Sequence, residues 1–209
     1  MQNAQLKSLL ELIVVNTSLH SLWLNTLSYL ENCGAKKIAL SEHPTEVHVE
    51  TLKHAAEEFR HAYHLKRQLK KIRGDSLKNY ERENLIGGFN TLQYLNKLEL
   101  VLCRLLKKEY SMRGIELKQA AYHLITYAIE TRASSLYPLY QEILNRSNSP
   151  LSMKAIIVEE DCHLQDILSI LNTIPNCKQL QNYALQIESL LFEKWLVAIK
   201  TEILQKLDG

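Results

Sequence analysis

The sequence predicts an all-α protein, and two observations support that prediction. Helix breakers are scarce, because glycine supplies 6 and proline 4 of the 209 residues, while leucine, glutamate and lysine are abundant. Apolar residues also recur at alternating steps of three and four over long stretches, which is the spacing of one face of an α-helix. A chain of this length can bury one sizeable core, so we expect a single domain over 1–209.

Five clusters of proline, glycine, serine and asparagine divide the chain into predicted helices. These six helices lie near 3–40, 45–73, 80–110, 115–145, 151–173 and 177–207. We expect Pro44 and Pro150 in the first turns of their helices, where the missing amide hydrogen is unpaired anyway. Pro138 is expected to kink or shorten the fourth helix. Gly87 and Gly88 are expected to mark a kink or close packing.

Four of the six helices carry acidic or imidazole side chains on their apolar faces. The stripe of the first helix runs from Leu6 to Glu31. The other three stripes include His54, Glu58 and His61, then Glu130, and finally Glu160 and His163. The last helix has an apolar stripe without a charge, which indicates a packing role for about 177–207.

These buried carboxylates need a shared explanation, because burying a carboxylate is costly unless it is paired or bound to a cation. Two segments have the pattern Glu-x-x-His, which places both side chains of each on one helix face about one turn apart. The sequence therefore predicts a dinuclear metal site within about 1–173. Its predicted ligands are Glu31, Glu58, His61, Glu130, Glu160 and His163.

The positions of the connections agree with this site. Ligands on two antiparallel helices should lie about equally far from the turn between them. The midpoint of Glu31 and Glu58 falls at the His43-Pro44 break, and that of Glu130 and Glu160 falls at Asn145, where a polar loop begins. Each pair is thus predicted to meet across an antiparallel hairpin.

Several roles stay open at this stage. Glu57 and Glu159 precede the two motif glutamates, so the ligand could be either member of each acidic pair. The alternative to a metal site is that both pairs lie on solvated faces and that the histidines are structural. His54 could bind a metal, orient a ligand or form a core hydrogen bond. Asp166 could accept the free ring N–H of His163, and Tyr127 could tune redox chemistry or simply pack.

The order of one Glu, a Glu-x-x-His, one Glu and a second Glu-x-x-His resembles the ferritin-like di-iron carboxylate superfamily. The resemblance implies a four-helix bundle with about two additional helices and a pair of iron ions, with manganese or a mixed iron and manganese pair as alternatives. The segment around Glu130 and the one from Glu160 to Asp166 are similar to tRNA-modifying di-iron hydroxylases. The hairpin spacings are similar to aldehyde-deformylating oxygenases, although the longer interval from His61 to Glu130 departs from them.

Three functions compete. The first is an oxidase or oxygenase that uses O₂ or peroxide on a small organic or lipid-like substrate and takes electrons from a donor. The second is a ferroxidase or iron-handling protein, and the third is a helical interaction module without enzymatic activity. The absence of a four-cysteine module disfavours a rubrerythrin-like peroxidase.

Composition limits the partners and the compartment. The net charge of +2 gives no basic footprint, so nucleic acid is not expected as a partner despite the tRNA-hydroxylase resemblance. No apolar stretch approaches a membrane span, and no secretory signal pattern is visible. The four cysteines are widely spaced, so we expect free thiols in a cytoplasmic protein. The sequence leaves open whether the chain acts alone or as a homodimer.

Overall fold

A computed structural model describes residues 2–43, 45–73, 77–172 and 177–208, and it confirms the all-α prediction. The described residues form seven α-helices and one short 3₁₀ turn over Arg82–Asn84. The α-helices are α1 Gln2–Val15, α2 Thr17–Ser41, α3 Val49–Arg73, α4 Gly88–Glu109, α5 Gly114–Arg146, α6 Lys154–Leu171 and α7 Cys177–Asp208.

The first predicted helix is in fact two helices, so the prediction of one continuous helix over 3–40 was wrong. Asn16 has an extended backbone, with φ −108° and ψ 107°, and its side chain accepts a hydrogen bond from the Leu19 amide at 3.1 Å. This is an N-cap, which satisfies an amide that the first turn of α2 leaves unpaired. The β-branched pair Val14 and Val15 just before it favours the break.

Helix starts near proline and glycine also differ from the predictions. The helix α6 begins at Lys154, so Pro150 precedes the helix instead of lying in its first turn. Pro44 lies outside the described residues. The helix α5 continues through Pro138 to Arg146 and is not shortened there. Buried aromatic rings at Tyr137 and Tyr140 anchor this stretch of the helix and offset the hydrogen bond that proline removes.

Gly87 confirms the expectation of close packing. Its φ of +83° is a left-handed conformation, and it caps α4, which therefore starts at Gly88 instead of near residue 80. A Cβ atom at this position would lie 2.8 Å from Thr91 Oγ1 and 3.1 Å from Trp195 Nε1. Glycine is thus required both by the backbone and by the neighbouring side chains.

Two helical hairpins form the centre of the molecule. The helices α2 and α3 pack along each other, as do α5 and α6. The helix α1 packs on α2 and α5, while α4 and α7 pack on each other and on α5. Two apolar clusters fill the interior. Along α5, residues Ala121 to Ala128 belong to one cluster and Leu136 to Leu144 belong to the other, with Glu130 between them.

The helix α7 packs as predicted, but it also buries a charge that its sequence stripe did not reveal. Glu188 is 2% exposed and accepts two hydrogen bonds from the Arg132 guanidinium, at 2.8 Å each, and one from the Tyr94 hydroxyl. The guanidinium also lies 3.7 Å from the centre of the Phe192 ring. The two-point geometry gives the buried charges the partners that they need.

The described helices all fall short of the length or apolar character needed to cross a bilayer. The four cysteines are free thiols, as predicted.

The buried pair of Arg132 and Glu188 provides a test of this packing. We expect Glu188→Leu to lower the free energy of unfolding by about 3–5 kcal/mol, because it leaves the arginine buried without its counter-charge. The double variant Arg132→Met, Glu188→Leu should be less destabilised than the single one. Urea unfolding monitored by circular dichroism measures both, with Glu142→Ala at a half-exposed ion pair as the control, expected within about 1 kcal/mol of wild type. Equal losses in the single and double variants would show that the charge pair itself contributes little.

Candidate metal centre

The structure brings all six predicted ligands to one place between the two hairpins. Glu31 comes from α2, Glu58 and His61 from α3, Glu130 from α5, and Glu160 and His163 from α6. Glu31 is partly buried and the other five are buried, each with 5% or less of its surface exposed. The 3.6-residue period explains this placement, because each residue lies on the apolar stripe of its helix.

The ligand atoms form two groups that share one carboxylate. Atoms of Glu31, Glu58, His61 and Glu160 all lie within 4.8 Å of one another, and the same holds for His54, Glu58, Glu130 and His163. Glu58 belongs to both groups, so its carboxylate lies between two candidate metal positions. A residue pattern of this kind, with carboxylates and imidazoles converging on two adjacent points, is what a dinuclear site requires.

His54 is the seventh residue of the set. Its Nε2 atom lies 3.1 Å from Glu130 Oε1 and 3.4 Å from Glu58 Oε1, and its ring packs 4.2 Å from that of His163. The structure therefore places His54 among the candidate ligands. Its position one turn before Glu58 was the sequence signal for this role.

Several polar atoms at this centre have no hydrogen-bond partner among the described residues. They are Glu58 Oε1, His61 Nδ1, Glu130 Oε2, Glu160 Oε1 and His163 Nδ1. His61 Nδ1 and Glu160 Oε1 are 3.0 Å apart, but they are not oriented for a hydrogen bond. Buried polar atoms are normally paired, so five unpaired ones within the two ligand groups fit bound cations.

The glutamates adjacent to the ligands hold the histidines in a crossed arrangement. His61 Nε2 lies 2.8 Å from Glu159 Oε2, and His163 Nε2 lies 2.9 Å from Glu57 Oε2. Each ring can thus donate its Nε2–H outward to a glutamate and turn its Nδ1 toward the centre, which is the orientation a metal-binding histidine needs. The open choice within each acidic pair is decided: Glu58 and Glu160 face the centre, and their neighbours orient the histidines.

Arg60 connects the two orienting carboxylates. Its Nη2 atom lies 2.8 Å from Glu159 Oε2 and 3.4 Å from Glu57 Oε1. The prediction that Asp166 accepts the His163 N–H was wrong, because Glu57 occupies that role. Asp166 is exposed on the rim of a polar cavity. It was proposed for its spacing within one helix, whereas the true partner comes from the opposite hairpin.

Two tyrosines contact the ligands directly, and neither is Tyr127. The Tyr137 hydroxyl donates to Glu31 Oε1, and the Tyr122 hydroxyl lies 3.3 Å from His54 Nδ1. Tyr127 packs against the apolar cluster of α4, α5, α6 and α7, so of its two expected roles the structure shows packing. Tyr137 lies two turns beyond Glu130 on the same stripe, and this spacing could have identified it.

Burial changes the protonation of the four central carboxyl groups. It raises the pKa of Glu58 from 4.5 to about 7, and the charge of Glu160 adds to the effect. Burial and the charges of Glu58 and Glu160 raise the pKa of Glu31 well above its ordinary value. Burial likewise raises the pKa of Glu130 and of Glu160. Without a cation, the centre therefore favours protonated carboxyl groups.

The three histidines divide into two kinds. Burial lowers the pKa of His54 and of His163 to about 4, so both rings are neutral near pH 7 and can offer a lone pair. Burial also opposes the charged form of His61, but the neighbouring Glu160 and Glu31 carboxyls outweigh it and raise the pKa of His61 to about 10. A bound cation would have to displace the proton that this ring otherwise holds.

An apolar cavity of about 370 Å³ reaches the centre from one side. Its walls come from α2, α4 and α5, and they include Ile38, Leu95, Ala121, Ile125 and Ile129. Glu58 and Glu130 lie at its inner end. Gly34 also lines it, where a Cβ atom would lie 3.7 Å from Glu58 Oε2. The cavity falls within the size range of small-molecule sites, about 300–1,000 Å³.

A second cavity, of about 500 Å³, also reaches the centre and is more polar. His54, Glu57 and His163 line it on the side of the centre, while His43, His48 and Glu50 also contribute. Tyr122 and Thr126 line both cavities. The centre is therefore reached by one apolar and one polar route.

The chain was compared with protein-family models, with curated proteins and with solved structures, and none of them matches it. The geometry of the centre is thus the basis for assigning a function.

The raised pKa of Glu58 predicts a pH dependence of stability in the metal-free protein. An acid whose pKa is higher in the folded state stabilises the fold at low pH and loses that contribution as pH rises, here between about 4.5 and about 7. Glu58→Gln cannot ionise, so its stability relative to wild type should increase by about 1–3 kcal/mol across this window. Urea unfolding of chelator-treated protein at several pH values measures the difference. A stability difference between the two proteins that stays constant with pH would contradict this prediction.

Proposed function

We propose that the centre binds two metal ions, preferably iron, and that the protein is a di-iron oxidase or oxygenase of the ferritin-like type. One observation carries the proposal: buried, unpaired ligand atoms converge in two groups that share the Glu58 carboxylate. Four carboxylates in an apolar interior repel one another, and two divalent cations would neutralise them. Packing alone gives no reason for such a cluster, which argues against a purely structural interaction module.

The donor set supports iron or manganese over other metals. It consists of four carboxylates and three imidazoles, with no thiolate among the ligands. Oxygen and imidazole donors suit iron and manganese, whereas structural zinc usually takes four tetrahedral cysteine or histidine ligands. The crossed contacts of Glu57 with His163 and of Glu159 with His61 would fix the ligands before a metal arrives.

The apolar cavity supports an organic substrate. It ends at Glu58 and Glu130, so a small organic or lipid-like molecule in it would lie directly beside the proposed metals. A bound iron pair would supply the capacity to activate O₂ or peroxide with electrons from a donor protein or cofactor. The chain's own contribution is to exclude water along the apolar walls and to hold a proton on the Tyr137 hydroxyl beside Glu31.

The polar cavity supports a second candidate, a ferroxidase or other iron-handling protein. It leads from exposed side chains such as His48 and Glu50 to His54 and His163, and these groups could pass hydrated ions inward. The two candidates differ in the fate of iron. A ferroxidase releases oxidised iron and, if it stores iron, forms a large assembly that size-exclusion chromatography detects. An oxygenase keeps its iron and consumes an organic substrate.

The metal centre itself is tested by metal content. Protein loaded anaerobically with Fe(II) should hold about two ions per chain by elemental analysis, and O₂ should then produce an iron-dependent near-ultraviolet absorption band. Glu58→Ala should lose most of both ions because this carboxylate serves both groups. His163→Ala should lose one ion preferentially and should abolish the band.

The matched control is His64→Ala. His64 is also on α3, but its Nε2 atom contacts the Ser152 carbonyl and Gln68, away from the centre. Its metal content should equal that of wild type. Wild-type protein with well under one ion per chain after loading would refute the dinuclear centre.

The apolar cavity is tested by filling it. Ala121→Phe should weaken binding of the fluorescent probe 8-anilinonaphthalene-1-sulfonate by about tenfold, since the added ring occupies the space that the probe needs. Metal content should stay at the wild-type level. Val101→Phe, at an exposed position of α4 outside the cavity, should leave probe binding unchanged. Undiminished probe binding in Ala121→Phe would show that this cavity is not the apolar ligand site.

A further inference from the structure

The two ligand groups of the proposed centre contain different donor atoms. The group of Glu31, Glu58, His61 and Glu160 offers three carboxylates and one imidazole. The group of His54, Glu58, Glu130 and His163 offers two carboxylates and two imidazoles. Since Glu58 is common to both, the contrast comes from the remaining residues, and His54 supplies the additional nitrogen.

The position of His54 is built into the interior. The residue is 8% exposed, and its Nε2 atom faces Glu130 and Glu58 at 3.1 and 3.4 Å. Its other ring nitrogen lies 3.3 Å from the Tyr122 hydroxyl, which can accept the Nδ1 proton and leave Nε2 free to bind. The neighbouring ring of His163 turns its unpaired Nδ1 atom toward the same group of carboxylates.

Donor type determines which divalent ion each position favours. Affinity for nitrogen donors rises from Mn(II) through Fe(II) to Co(II), whereas a site rich in carboxylates suits Mn(II). The shared Glu58 carboxylate also makes the affinities of the two binding steps differ. The first ion coordinates this carboxylate, and its positive charge repels a second ion a few ångströms away, so the second ion binds more weakly.

We infer that the two metal positions are inequivalent and fill in order. The position with His54 and His163 binds first and selects the later metal, Fe(II) or Co(II), while the position with Glu31 and His61 binds second and admits Mn(II). This inference rests on the proposed function and adds to it an order of loading and a capacity to hold a mixed pair. The His54 position is thus the tighter of the two.

The test uses Co(II) and Mn(II), which resist oxidation in air at neutral pH. Calorimetric titration of the metal-free protein with Co(II) should show two distinct steps. Crystals grown with one equivalent of Co(II) and then one of Mn(II) should give an anomalous signal at the cobalt edge beside His54 and His163. The manganese signal should lie beside Glu31 and His61.

The variant His54→Gln removes the additional nitrogen. We expect it to weaken the first Co(II) step by about tenfold or more and to change the second step much less. His123→Gln is the matched control, because His123 lines the polar cavity but belongs to neither ligand group. It should reproduce both wild-type steps. Circular dichroism reports whether each variant folds, and if His54→Gln does not, the wild-type crystals decide the question.

The outcomes separate the inference from the function on which it rests. Four results would overturn the inference of ordered, inequivalent sites while leaving a dinuclear centre. They are two equal Co(II) steps, cobalt at the Glu31 position, a random distribution of the two metals, and equal weakening of both steps in His54→Gln. Failure of the wild-type protein to bind Co(II), Mn(II) and Fe(II) alike would overturn both.

Discussion

The confinement of four carboxyl groups within one apolar interior is the constraint on which the centre of this molecule depends. Each group loses hydration on burial, and each is close enough to the others to raise their pKa values. Two helical hairpins and the flanking helices α1, α4 and α7 surround these groups with packed side chains. Two states avoid the repulsion between these groups: the carboxyl groups are protonated, or bound cations neutralise the carboxylates. The unpaired imidazole nitrogens favour bound cations.

The supporting residues act on orientation more than on charge. Glu57 and Glu159 accept the outer N–H groups of His163 and His61, and Arg60 lies between these two carboxylates. Two tyrosine hydroxyls also restrain candidate ligands, since Tyr137 contacts Glu31 and Tyr122 contacts His54. The candidate ligands are therefore held by contacts that do not require a metal to be present. Such preorganisation limits the rearrangement that binding would otherwise demand.

Periodicity predicted much of this from the sequence, because a side chain on an apolar stripe has one direction in which to point. The convergence of the six candidate ligands and the two hairpins followed from that rule and from the position of the turns. The features that periodicity did not predict depend on contacts between helices. Glu57, not Asp166, binds His163 because α3 faces α6, and Glu188 is buried because Arg132 of α5 lies opposite it. The break at Asn16 was missed for a different reason, since one capping residue outweighed a continuous stripe.

The crossed histidine contacts have a consequence for how the chain acquires its centre. In each Glu-Glu-x-x-His segment, one glutamate faces inward while the other serves the histidine of the opposite hairpin. Neither hairpin alone can therefore contain a finished half of the site, however well its own helices form. The centre forms only when the two hairpins dock, because its contacts join residues that are far apart in the sequence. A substitution of Glu159 in α6 can thus disturb His61 in α3, nearly a hundred residues away in the sequence.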